Sequence, residues 1–308
     1  MHGLLQPTVT PTLADLIGVL LHRAADAGRK LRLRQRSKHQ VIATQRSGGE
    51  RFSRGRVALV GAGPGDPELL TVKALRTLQS ADVIFHDQLV SEAVLALAPP
   101  RVERIDVGKK GYGRSCKQGD INDLMVALAA AGRSVVRLKA GDPLMFGRLE
   151  EEIAALDTAG IHFEVVPGIS AAQGAAARLN VPLTRRRGAR RFQAITGHAD
   201  YGRLPDDFDW AGLADPKATT AVYMPKATIG VLCVELMRRG LAADHPAVAV
   251  FNATGADEVV LPATIATLPK RIAEVASDAP CIVLIGDAVA RNALASRAQQ
   301  ELVCAAPA

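Results

Sequence analysis

The residues best placed to do chemistry sit in three short Gly/Pro loops, each following an apolar run. Gly61-Ala62-Gly63-Pro64-Gly65-Asp66-Pro67 comes after VALV. Lys139-Ala140-Gly141-Asp142-Pro143 comes after VVRL and leads into Phe146-Gly147-Arg148, and Pro167-Gly168-Ile169-Ser170-Ala171 comes after FEVV. Loops of small residues at the carboxyl ends of parallel strands line the ligand crevice of an open sheet and let the backbone approach a compact ligand. The first loop has the placement of a dinucleotide-binding turn, and Asp87 ends the next strand where a ribose-binding acid would stand. Its spacing fails, because position 66 is aspartate where the third glycine is required, and Pro64 and Pro67 have no N–H to offer a pyrophosphate. This argues against a nicotinamide cofactor. The 4 cysteines and 7 histidines are scattered without CxxC, HxxxH or HExxH spacing, so no metal site is expected and a reducing cytoplasm is the plain inference.

The elements that must hold these loops alternate. Stretches at 57–61, 82–86, 102–107, 134–138 and 163–166 read as strands. Between them, helical spacing recurs over 68–79, 91–97, 118–131 and 147–159. This pattern predicts a mainly parallel, helix-covered sheet. After Pro182 a second block repeats the theme, with strands expected at 192–196, 220–224, 247–251 and 281–285 and helices at 228–239 and 268–275. The fold class is therefore α/β, with two mainly parallel or mixed sheets, helices, and a ligand cleft between them. The expected division is an N-terminal α/β domain over 57–175, a C-terminal α/β domain over 176–295, and a tail over 296–308.

The 308-residue chain is 48% hydrophobic and 22% charged, which suits a globular protein with a substantial core and excludes collagen-like, disordered and disulfide-scaffold classes. No apolar run reaches the ~18 residues of a membrane span. Of 38 Lys+Arg and 31 Asp+Glu, residues 1–56 hold 11 and 3, leaving 27 against 28 for the rest. The basic character thus belongs to an N-terminal extension, with one amphipathic helix expected near 12–27. The nearly neutral body gives no reason to expect a nucleic-acid partner.

GAGPGDPELLT, HDQLVS, VGKKGYGRSCKQGDIN, VVRLKAGDPLMFGR, VVPGISAA and VPLTRR, in this order, resemble the tetrapyrrole methylases over residues 56–292. Among them, the motifs are most similar to those of members that methylate uroporphyrinogen III. The resemblance implies the family's two-domain fold, usually as a homodimer, and methylation at C2 and then C7 to precorrin-2, feeding sirohaem or cobalamin synthesis. The methyl donor would be S-adenosyl-L-methionine, with S-adenosyl-L-homocysteine as product. It places donor contacts on Pro64, Ala140, Gly141, Asp142, Met145, Ser170, Ala171, Met224 and Ala253, a proton acceptor on Asp87 and a proton donor on Lys109. The substrate carries eight carboxylates, for which Arg114, Arg148, Arg185 and Arg186 are the expected partners. Arg114, Ala140, Arg185, Pro225 and Phe251 stand where the family usually has His, Gly, His, Gly and Glu. A methyltransferase of the corrin branch, or a protein that binds donor or tetrapyrrole without turnover, remains open at this point.

Overall fold

A computed structural model of the chain describes residues 55–108, 118–198 and 202–290. The expected extension over 1–56 lies almost wholly outside the described residues, and so does the tail.

The first sheet is built from β1 (Arg56–Gly61), β2 (Val83–His86), β3 (Glu103–Asp106), β4 (Ser134–Lys139) and β5 (Phe163–Val166), in the order β3-β2-β4-β1-β5. Every pairing is parallel. Its helices are α1 (Val72–Gln79), α2 (Glu92–Leu95), α3 (Gln118–Ala130) and α4 (Leu149–Thr158). The central strand β1 is apolar on both faces because both are covered. In β1, Ala58 and Val60 pack with Ala74, Leu78 and Val94 of α1 and α2. The alternate residues Val57 and Leu59 pack with Leu124, Met125 and Leu156 of α3 and α4. The helix starts follow capping rules: Thr71 accepts from the Ala74 N–H and Ser91 from the Val94 N–H.

The second sheet contains β6 (Arg191–Thr196), β7 (Ala218–Tyr223), β8 (Pro246–Phe251), β9 (Val259–Thr264) and β10 (Cys281–Ile285), ordered β6-β7-β10-β8-β9. Only β6 and β7 run parallel, so this sheet is mixed. On one face lie α6 (Trp210–Leu213), α7 (Ile229–Arg238) and α8 (Leu268–Ala273). The other face takes α5 (Ala171–Arg178), through Ala172, Ala175 and Ala176. Thus α5 follows the last strand of the first sheet in the chain yet packs on the second. It spans positions 175 and 176 and joins the two sheets.

Three elements escape the periodicity reading: β9, α5 and the four-residue α6, too short to show a helical period. Pro262 interrupts β9, which is tolerable only because β9 is an edge strand. The sequence AAQGAAAR of α5 has no large apolar residue to mark a face.

Candidate active site

The three loops meet at the carboxyl edge of the first sheet. Gly63 and Gly141 exchange backbone hydrogen bonds of 3.1 and 2.8 Å, joining the first loop to the second. A Cβ on Gly61 would stand 2.6 Å from the Gly168 Cα, so this glycine pair is required for packing between loops. Gly141 differs. Its φ of +70° needs glycine, while an added Cβ would meet nothing closer than 3.9 Å, which leaves space beside its backbone. The Ser91 hydroxyl donates to the Gly65 carbonyl at 2.7 Å, tying HDQLVS to the first loop.

A cavity of about 470 Å³ opens where these loops face the second sheet. Pro64, Ala140, Gly141, Asp142 and Met145 line it from the first sheet's side, with Ser170 and Ala171 at the start of α5. Met224 and Ala253 come from the ends of β7 and β8. The structure therefore brings every expected donor residue to one cavity. Phe146, Tyr223 and Asn252 line it as well, and motif reading missed them. The Phe146 and Tyr223 rings lie 5.0 Å apart, centroid to centroid. Phe146, Met224 and Asn252 all hold left-handed backbone, a concentration of strain typical of functional sites. Lys226 closes one end, donating to the Ser277 carbonyl at 2.6 Å with its ammonium 5.6 Å from the centre of the buried Phe251 ring.

Asp87 follows β2 and does not itself line the cavity, though Leu89, two residues on, does; it is about one-third exposed and its carboxylate pairs with Arg137. Arg137 belongs to a buried charge cluster that sequence reading also missed. Its Nε donates to Glu152 at 2.9 Å, and the Lys139 Nζ reaches both oxygens of Glu152 at 2.9 and 3.1 Å. Arg137, Lys139 and Glu152 are 2%, 4% and 0% exposed, so Asp87 is the end of the cluster that meets solvent. Burial pulls the Lys139 ammonium below its ordinary value, Arg137 pushes the same way, and Glu152 and Asp87 oppose them. The available signal was two cations at alternate positions in the apolar strand SVVRLK, both on the face that should carry only core residues.

The expected arginines are placed less tightly. Arg148 is exposed and pairs with Glu151 at 2.7 Å, Arg185 reaches the Asp287 carbonyl at 3.4 Å, and Arg186 is exposed. None of the three lines the cavity. Lys109 and Arg114 lie outside the described residues.

The family description "Tetrapyrrole (Corrin/Porphyrin) Methylases" matches residues 56–269, well over half of the chain. This chain belongs to the tetrapyrrole methylases. Among relatives of this chain, a siroheme synthase of Methylococcus capsulatus is 48% identical over 78% of the chain and 50% of its own length. A uroporphyrinogen-III C-methyltransferase of Paracoccus denitrificans is 47% identical over 77% of the chain and 82% of its own. The chain thus spans about half the length of the siroheme synthases it matches. Among solved structures, uroporphyrin-III C-methyltransferase of Thermus thermophilus complexed with S-adenyl homocysteine has TM-score 0.65 and 39% identity, covering 76% of this chain and 99% of that one. A cobalt precorrin-4 methyltransferase has TM-score 0.68 and 29% identity, covering 76% and 95%.

Among the described residues, no helix is long and apolar enough to cross a membrane. Cys233 and Cys281 are buried thiols, both pushed up to about 12 by desolvation, which makes them poor nucleophiles.

Proposed function

We propose that the protein transfers methyl groups from S-adenosyl-L-methionine to C2 and C7 of uroporphyrinogen III, giving precorrin-2 for sirohaem or cobalamin synthesis. The observation that carries this reading is the convergence of Pro64, the Ala140–Asp142 loop, Ser170, Met224 and Ala253 on one cavity, with Asp87, held by a buried guanidinium, two residues from the lining residue Leu89. The cavity's size lies within the ~300–1,000 Å³ usual for small-molecule sites. Its chemistry also fits the donor. The open side of Gly141 admits a ligand against the backbone, and Phe146 and Tyr223 offer aromatic surface to a purine. One Asp142 oxygen accepts from the Leu144 N–H at 3.0 Å, and the carboxylate is suited to an amine. The relatives' names and the Thermus thermophilus complex support the same donor and substrate.

When bound, the donor supplies a methyl group on a sulfonium, ready for in-line attack. The protein's part is positioning and proton removal. The loops and the β7 and β8 ends fix the approach, which supplies much of the rate without a nucleophilic side chain. Methylating a pyrrole carbon that already bears a side chain makes it quaternary and leaves a cation on the ring, which is discharged by loss of a proton from elsewhere on the tetrapyrrole; Asp87 would accept that proton. Arg137 keeps that carboxylate in place. Lys109 would serve as proton donor, and Arg114, Arg148, Arg185 and Arg186 would meet substrate carboxylates at the rim.

We further propose a cytoplasmic homodimer of two-domain subunits, divided between the two sheets. Exposed Val231 and Val234, three residues apart on α7, offer an apolar face for association.

Incubation with uroporphyrinogen III and labelled donor tests the reading, with methyl groups counted by mass. Two methyls are expected. Transfer only to later corrinoid substrates would assign the protein to another reaction, and donor binding without transfer to any tetrapyrrole would make it a binding protein.

A further inference from the structure

The segment from Asn252 to Glu258 leaves the second sheet and reaches the first loop. At its centre Thr254 has φ +67°, a conformation that β-branched residues rarely adopt. Two contacts hold it there. Its N–H donates to Glu258 Oε2 at 2.6 Å, and its Oγ1 accepts the Asp66 N–H at 3.1 Å, across 188 residues of sequence. Glu258 is itself anchored, since Arg178 at the end of α5 donates to its Oε1 at 3.2 Å.

These contacts bear on the donor cavity through packing. A Cβ on Gly174 would stand 2.7 Å from the Pro64 Cγ and 3.1 Å from the Thr254 Cγ2, so Pro64 and Thr254 both press against the same point of α5. Pro64 lines the cavity from the first sheet, and Ala253, adjacent to Thr254, lines it from the second. The Asp66 N–H lies between Gly65, whose carbonyl is held by Ser91, and Pro67, which has none. One hydroxyl thus connects the two walls.

We propose that Thr254 is a positioning residue: its hydroxyl, oriented through Glu258, ties the Pro64 loop to the Ala253 loop and sets the separation of the cavity walls that grip the methyl donor. This rests on the donor reading above. The hydroxyl should therefore control donor affinity, through geometry and without touching the reacting atoms.

The test uses the full chain and S-adenosyl-L-homocysteine as the calorimetric probe. Thr254→Val keeps the shape and removes the acceptor, so the dissociation constant should rise about tenfold, the scale of one lost hydrogen bond that leaves its partner unpaired. Thr254→Ser should stay within about twofold of wild type, a rescue that a merely structural role for the side chain's bulk would not produce. Hydrogen exchange at the Asp66 amide reads the tie without ligand, and should be faster in Thr254→Val and near wild type in Thr254→Ser. Glu258→Gln provides a second variant should Thr254→Val not fold, with a rise of about threefold expected. Equal affinity and equal Asp66 exchange in wild type and Thr254→Val, or in Glu258→Gln when only that variant folds, would overturn the proposal. Equal weakening in the Val and Ser variants would overturn it too. If wild type itself fails to bind the probe, the donor reading falls, while Asp66 exchange still reports on the tie.

Discussion

The two sheets differ in what they bury. Under the first, Arg137, Lys139 and Glu152 are closed off from solvent between β4 and α4, whereas the second sheet encloses threonines and one histidine, with no buried ion pair among the described residues. A buried ion cluster is weak evidence for stability, since desolvating the charges costs about as much as their attraction returns. Its retention beside Asp87 is better explained by the need to point a guanidinium at one carboxylate. The second sheet supplies shape: strand ends at Met224 and Ala253, and an apolar floor.

That contrast can be broken experimentally. Glu152→Gln leaves two buried cations without their shared carboxylate and should lower unfolding stability by about 3–5 kcal/mol in urea titrations. A loss below about 1 kcal/mol would show that the cluster is solvated and the contrast overstated. Asp87→Asn acts at the exposed end of the same cluster. It should lower turnover about 100-fold, the scale of a lost general base, with S-adenosyl-L-homocysteine affinity unchanged by calorimetry. Wild-type turnover at saturating substrate would hand the proton to solvent instead.

On the second sheet the expected effects are smaller. The Thr219 Oγ1 is buried with no hydrogen-bond partner, so Thr219→Val should change stability by less than about 1 kcal/mol, or raise it, in thermal unfolding. His245 is the pH-sensitive group there. Burial holds its pKa below the ordinary 6.5, against the opposing charges of Asp287 and then Asp244. The unfolded chain therefore binds more protons just below pH 6.5, and stability should fall as pH drops through 6.5 toward the folded value. His245→Gln should flatten that decline, and an unchanged slope would place the sensitivity elsewhere.

Much of this was legible without coordinates. The runs VALVG, VVRLK and FEVV mark buried strands because both faces of the first sheet are covered, and each Gly/Pro loop follows its strand directly. Family motifs sufficed to single out the residues from Pro64 to Ala253, because their spacing is a property of the chain. Their gathering into one cavity is a property of the fold. β9 was hidden by Pro262, since a sequence does not say which strand lies at an edge. Likewise α5 shows no stripe, since small residues facing Pro64 and β10 do the packing.

Local pattern decided the alternation of strands and helices, the loop positions and the family, all of which depend on neighbours in sequence. Tertiary structure decided the rest. It turned Arg137 from an anomaly in an apolar strand into the partner of Asp87, 50 residues away, and it made Thr254 an acceptor for Asp66 across 188 residues. Contacts of that range depend on how two sheets settle against a shared helix, and no periodicity encodes it.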